Sequence, residues 1–292
     1  MDRFFFETSD QTRLCYYKNF KNSHELDVPV LVFNYGLVCS HQHWAEQILF
    51  FHQKGFPILI HDYRGHHESE GRDDISKITL TQLCFDLKEL LDFLQVSEIA
   101  MLGHSMGVNL CLEFAILYPE KVKCCVLVCG TAIDPTHLMF KSYLHKLALP
   151  PLEKIVSGQP NLANKIFEKI TINPIVQKLI HHQGFNTQHT PKGFIKTYTE
   201  KLASLGPSVF LQMLNEMRIQ KISAQIHQVK CPCLIIAGGE DKVIPVQWQE
   251  LLHQQITNSQ YHLIEQGSHV PQIDFPDEVS NLILDFFRDL GS

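Results

Sequence analysis

The stretch MLGHSMGVNL, Met101 to Leu110, sets a serine between two glycines at the seam of two patterns. Before it, Glu98-Ile99-Ala100-Met101-Leu102 is a short apolar run of the kind that forms a buried strand. After it, Met106 to Tyr118 carries helical spacing and stops at Pro119. Gly103 and Gly107 therefore bracket a sharp strand-to-helix turn that strains the backbone at Ser105 and leaves little room for side chains on either flank. Such a turn holds the Ser105 hydroxyl clear of the backbone at a helix N-terminus. A plain glycine turn gives the same G-x-S-x-G pattern without chemistry, so the rest of the chain has to decide.

Working outward, more apolar runs of the same kind appear: Val28 to Phe33, Phe56 to Ile60, Val122 to Cys129, Cys233 to Ala237 and, more weakly, Tyr261 to Ile264. Near-continuous apolar runs separated by helical stretches predict strands buried on both faces, hence an α/β fold with a mostly parallel sheet flanked by helices. Phe4-Phe5-Phe6 and Leu14-Cys15-Tyr16-Tyr17 predict an antiparallel hairpin at the sheet edge.

One segment breaks the alternation. From about 131 to 226 the spacing is helical throughout, with candidate helices at Thr136 to Leu147, Asn161 to Ile170, Pro174 to His182, Pro191 to Leu205 and Ser208 to Arg218. This predicts a core domain of 1–130 and 227–292 carrying an inserted helical cap, 131–226, placed after the sixth strand as a lid over the carboxyl edge of the sheet. The cap holds 11 Lys and Arg against 5 Asp and Glu, leaving 14 against 26 for the core. A basic cap on an acidic body aids docking of the two parts, and it also opens peripheral contact with an anionic lipid interface. Phe140, Leu144, Leu147, Phe167, Phe194, Tyr198, Phe210 and Met213 supply apolar lining for a pocket beneath it.

Composition narrows the function classes. With 292 residues, 45% of them hydrophobic, the chain can bury a large core. A net charge of −6 offers no electrostatic footprint for nucleic acid. No apolar run approaches the roughly 18 residues that cross a bilayer, and the acidic and basic residues that follow Phe4-Phe5-Phe6 do not fit a leader, so a soluble, cytoplasmic chain is expected. Nine cysteines, several inside apolar runs such as Cys124-Cys125-Val126-Leu127-Val128-Cys129, predict reduced thiols packed as small hydrophobes. Cys39 with His41 and His43 matches no zinc spacing, and Trp44 beside them predicts packing over the pocket; Cys231-Pro232-Cys233 is one residue short of a redox motif, so both features read as structural.

A serine hydroxyl is a poor nucleophile until a base takes its proton, and the base needs a carboxylate to fix its tautomer. Both follow in the order this topology requires: Gly238-Gly239-Glu240-Asp241 after the Cys233 strand, and Gly267-Ser268-His269-Val270-Pro271 after the last strand. Asp241 competes for the acid's role with Glu240 beside it and with Asp134, which follows the Cys129 strand.

Together these residues resemble the α/β-hydrolase family, its serine carboxylesterase and monoacylglycerol-lipase-like branch, over nearly the full chain. The resemblance implies about eight strands, with Ser105 as nucleophile, Asp241 as acid and His269 as base. His61-Asp62-Tyr63-Arg64-Gly65-His66-His67-Glu68-Ser69 resembles the family's D-x-R-G-x-G-x-S loop, with His67 where glycine is usual. Gly36-Leu37 resembles its oxyanion loop, with Tyr35 where histidine is usual, and implies the backbone N–H groups of Leu37 and Met106 as oxyanion donors. The implied activity is hydrolysis of a small apolar carboxylic ester through an acyl-enzyme, with no cofactor and no metal. Carbon–carbon bond hydrolysis, lactone hydrolysis, cofactor-free haloperoxidase chemistry and a triad-bearing receptor with slow turnover stay open on the same residues.

Overall fold

The computed structural model describes residues 1–292 apart from 24–25, 27, 38, 135–155, 157, 192 and 292. Eight strands form one sheet: β1 (Asp2–Glu7), β2 (Arg13–Lys18), β3 (Val30–Asn34), β4 (Ile58–His61), β5 (Ile99–His104), β6 (Val122–Val128), β7 (Cys233–Gly238) and β8 (Ser259–Ile264). Their order is β1-β2-β4-β3-β5-β6-β7-β8. The β1–β2 hairpin is antiparallel and joins β4 antiparallel, while every other pairing is parallel. The apolar runs seed this order: every residue of β3, β4, β5 and β7 is buried, as strands covered by helices on both faces must be. The edge strands β1 and β8 are only partly covered.

Helices α1 (Ala45–Gln53), α2 (Leu80–Phe93) and α3 (Met106–Leu117) connect β3, β4, β5 and β6 in turn. Between β6 and β7 the described chain is helical: α4 (Pro160–Thr171), α5 (Pro174–Gly184), α6 (Phe194–Leu205) and α7 (Pro207–Ile219). Helices α8 (Val246–Gln255) and α9 (Pro276–Gly291) complete the core. The helix expected at Thr136 to Leu147 lies outside the described residues. Helix α6 begins at Phe194, after Pro191, because Thr190 and Asn186 are held in the preceding loop by bonds to Asp274 and Gln266.

Helix α3 sets the spacing of the site. A methyl on Gly107 would sit 2.4 Å from the Asn34 carbonyl oxygen, and one on Gly103 would sit 2.5 Å from that of Gly107. The first turn of α3 therefore lies directly against the ends of β3 and β5. Trp44, fully buried, donates from its indole N–H to Asn34 O at 3.1 Å and stands edge-on to Phe33. It packs under the end of β3, where the sequence pattern predicted a place over the pocket, because its N–H needs a buried acceptor and the strand end supplies one.

Arg64, 1% exposed, ties three distant segments together. It is bidentate to Asp86 of α2 at 2.9 and 2.6 Å, and it donates to Asp10 and Thr12 of the β1–β2 turn. Those bonds hold the Asp10 carboxyl far below its ordinary range, with the guanidinium as the largest cause.

Candidate active site

Ser105 occupies φ 54°, ψ −120°, a conformation that L side chains rarely adopt. The strain is held by the strand before it and the helix after it, and it lifts the hydroxyl off the sheet edge. The Ser105 hydroxyl donates to His269 Nε2 at 3.0 Å, and His269 Nδ1 donates to Asp241 Oδ2 at 2.9 Å. Asp241 is fully satisfied: Oδ1 accepts the N–H groups of Val243 and Ile244 at 2.8 and 2.9 Å, and Oδ2 also accepts from Gln249 Nε2 at 3.2 Å. The Asp241 side chain is 0% exposed and the His269 ring 12%. Of the three acids in competition, Asp241 is the one that bonds His269; Glu240 is exposed to solvent, and Asp134 is half-buried beyond β6.

The Gly36-Leu37 loop comes close by the same economy of side chains. A methyl on Gly36 would lie 2.8 Å from Ser105 Cβ, so the Gly36-Leu37 backbone faces the serine. Met106 is the first residue of α3, and its N–H has no acceptor within the helix. The two departures noted in the sequence have physical partners. Tyr35 OH accepts from Tyr63 N–H at 3.0 Å while Tyr63 OH donates to Tyr35 O at 2.9 Å, and the rings lie 4.2 Å apart. This reciprocal pair ties the oxyanion loop to the Asp62–Ser69 loop. His67 takes φ 44°, a left-handed conformation that glycine adopts freely, and its Nε2 donates to Cys39 O at 2.8 Å. The bond gives the side chain a use that offsets the backbone cost.

Several participants were invisible in the sequence. His104 donates from Nε2 to the carbonyl of His269 at 2.8 Å and so fixes the backbone of the base. Ser268 donates to Asp274 from both backbone and hydroxyl, at 2.9 and 2.6 Å, and Thr190 bonds the other oxygen of Asp274 at 2.6 Å. Phe194 and Tyr198 meet the ring of His43 at 4.9 and 5.7 Å, and Phe185 and Ile195 cluster with Val270 beside His269. Of the expected pocket lining, Phe194 and Tyr198 therefore stand next to the site. Phe167 and Phe210 pack on each other at 6.0 Å, and Met213 is fully buried in the main core. Phe140, Leu144 and Leu147 fall outside the described residues.

The surroundings are rich in neutral imidazole. Burial lowers the pKa of His43 and His66 to about 3 and of His61 and His67 to about 4, and it also lowers those of His41 and His104. Asp62 moves the opposite way, up to about 6, because burial disfavours its charge. Among the described residues, two groups bring three metal-capable side chains together: Cys125 with Cys231 and Cys233, and Cys129 with Asp241 and His269. The second is the site itself.

Fold and site together define an α/β-hydrolase. The chain belongs to the hydrolase family described as serine aminopeptidase, S33, whose model matches residues 28–274. It is 24% identical over 273 residues to 3-oxoadipate enol-lactonase 2 of Acinetobacter baylyi, with 91% of each chain covered. The esterase EaEST of Exiguobacterium antarcticum superposes with a TM-score of 0.76 at 17% identity, covering 99% of both chains. The enol-lactonase of Burkholderia xenovorans LB400 superposes with a TM-score of 0.73 at 18% identity, covering 97% of this chain and 99% of that one. These likenesses show a hydrolase fold; the bond cleaved is a separate question. No described helix is long and apolar enough to cross a membrane.

The buried histidines set an acid limit. Each is neutral in the folded chain below the pH at which an unfolded histidine, near 6.5, takes up a proton. The unfolded state then binds more protons, so stability is complete above about pH 6.5 and falls as pH drops toward 4, by up to about 1.4 kcal/mol per pH unit for each histidine. Urea midpoints measured from pH 7.5 to 4.5 should decline with a slope of several protons, and His43→Gln with His66→Gln should flatten it.

Proposed function

We propose that this chain is a serine hydrolase that cleaves a small apolar carboxylic ester through an acyl-enzyme. The observation that carries the reading is the unbroken Ser105–His269–Asp241 relay at 3.0 and 2.9 Å. In this reading His269 takes the Ser105 proton as the hydroxyl attacks the carbonyl, and Asp241 holds the imidazole in the right tautomer and stabilises its charged form. The N–H groups of Leu37 and Met106 receive the oxyanion, each contributing on the order of 3 kcal/mol in comparable sites. His269 then returns the proton to the leaving alcohol and activates the water that releases the acyl group. Helices α4 to α7, within 131–226, act as a lid; Phe194 and Tyr198 beside His43 support an apolar acyl or aryl group, and a lactone is the same bond closed in a ring. Nine free cysteines suit a reducing compartment, which supports the cytoplasm.

The lid also supports contact with lipid. Leu162, Ile166 and Ile170 recur every fourth residue along α4, and Ile175 and Leu179 do the same on α5; all are exposed, Ile175 at 79%. Lys165, Lys169 and Lys178 stand exposed among them. An apolar row edged by lysines suits the interface of an anionic bilayer, from which apolar esters would be drawn.

Three experiments test this reading. Ser105→Ala should abolish hydrolysis of p-nitrophenyl esters and covalent labelling by a serine-directed phosphonate, with the circular dichroism spectrum unchanged; labelling of the mutant would reject the nucleophile. Asp241→Asn should lower kcat by a factor on the order of 10⁴, as in a well-studied protease triad, while Asp134→Asn leaves it within about twofold. The reverse pattern would move the acid to the loop after β6. Finally, Ile175→Gln with Leu179→Gln should weaken sedimentation with phosphatidylglycerol vesicles by roughly tenfold or more, given about 1.5 kcal/mol or more per buried aliphatic side chain. Turnover of a soluble ester should be unaffected, and unchanged vesicle binding would remove the lipid contact.

A further inference from the structure

The other group of metal-capable side chains, Cys125 with Cys231 and Cys233, lies at the opposite end of the same strands. Cys233 opens β7, and its partner in the β6–β7 register is Cys125. Cys231 stands two residues before Cys233, and alternation along an extended chain returns it to the same face of the sheet. Pro232 between them fixes one backbone torsion, and its carbonyl accepts the Cys125 N–H at 2.9 Å, which pins the Cys231-Pro232-Cys233 segment against β6. Three thiols therefore converge. Their sulfurs all lie within 4.8 Å of one another, and those of Cys125 and Cys231 are 3.8 Å apart. Sulfurs bound at about 2.3 Å to a tetrahedral centre stand about 3.8 Å apart, so the Cys125–Cys231 pair already has the spacing of ligands sharing one ion, with the Cys233 sulfur within 4.8 Å of both. That spacing is also well beyond the roughly 2.05 Å of a disulfide.

We infer that Cys125, Cys231 and Cys233 form a binding site for a soft divalent cation of the zinc group, with three sulfur ligands and a water in the fourth position. Cys125 and Cys233 are buried, and Cys231 is half-exposed, which gives an ion a route in from solvent. Uptake balances as follows: Zn²⁺, one water and three S–H groups give a three-sulfur complex of charge −1 and three protons released to solvent. The site is structural. It lies a full strand length, roughly 20 Å for six residues, from the loop that carries Asp241. It bridges β6 and β7, the two strands between which the α4–α7 helices are inserted, so an ion there would clamp the base of the insertion.

Cadmium is the probe, because its thiolates absorb in the ultraviolet where the free ion does not. The full chain, reduced and stripped of metal, is titrated with Cd²⁺ in the absence of other thiols. A sulfur-to-cadmium charge-transfer band saturating at one equivalent is expected, with release of protons, a raised Tm and displacement by Zn²⁺. Cys231→Ser and Cys125→Ala should each lose the band and the Tm rise, while Cys84→Ala, at a thiol outside the cluster, retains both. Circular dichroism confirms that each variant is folded; Cys231→Ser, at the half-exposed position, is the variant that keeps the test valid if Cys125→Ala does not fold. No band in the parent chain, or a band retained by folded Cys231→Ser or folded Cys125→Ala, overturns the site. So does loss of two mass units from a Cys125–Cys231 disulfide in place of cadmium uptake.

Discussion

The backbone at Ser105 cannot relax, and most of the site follows from that. A residue at φ 54° stays there only if the chain on both sides is fixed more strongly than the strain it stores. Here β5 is buried between β3 and β6, and α3 is pressed onto the ends of β3 and β5 so closely that Gly107 admits no side chain. The same closeness brings Gly36 against Ser105, so one geometric demand positions both the hydroxyl and the oxyanion loop. Local strain is stabilised by burial spread over five central strands, and the reactive group needs no flexible arm.

The other two members of the relay are held from the cap as well as from the core. Asn186 bonds Gln266, Thr190 bonds Asp274, and Asp274 in turn holds the backbone of Ser268 beside His269. Lys242, next to Asp241, donates to the carbonyl of His182 at the end of α5. The loops carrying Asp241 and His269 are thus bonded directly to the segment around α5, so a displacement of that segment would be felt at the relay.

The sequence made the architecture legible because its signals are local. Continuous apolar runs announced the buried strands, and glycines announced the turn at Ser105; the order of serine, aspartate and histidine followed from strand order. Edge strand β8 was weaker because its residues are half-covered and its pattern mixed. What stayed hidden was long-range pairing between ordinary residues. Nothing near His104 says that it will bond the carbonyl of His269, 165 positions away, and nothing near Thr190 points to Asp274. Between Asp241 and Asp134 the sequence reading favoured Asp241 on the resemblance, since both follow strands that end at the same edge. Trp44 was expected to pack over the pocket; that its N–H bonds the buried carbonyl of Asn34 is a pairing the local pattern does not reveal.

Arg64 bears on how the molecule assembles. Its guanidinium is buried between a carboxylate from the first turn of the chain and one from α2, with the hydroxyl of Thr12 alongside. A buried cation with one of its anions removed is far costlier than either arrangement that lacks the charge altogether. The β1–β2 hairpin at the sheet margin is therefore no dispensable appendage. Asp10 and Thr12 have a place only once Arg64 is set against Asp86 of α2, so the hairpin and that helix lock together. Trimming the chain through Asp10 would strip the sheet of its β1 edge and leave the Arg64 charge with one carboxylate partner in place of two.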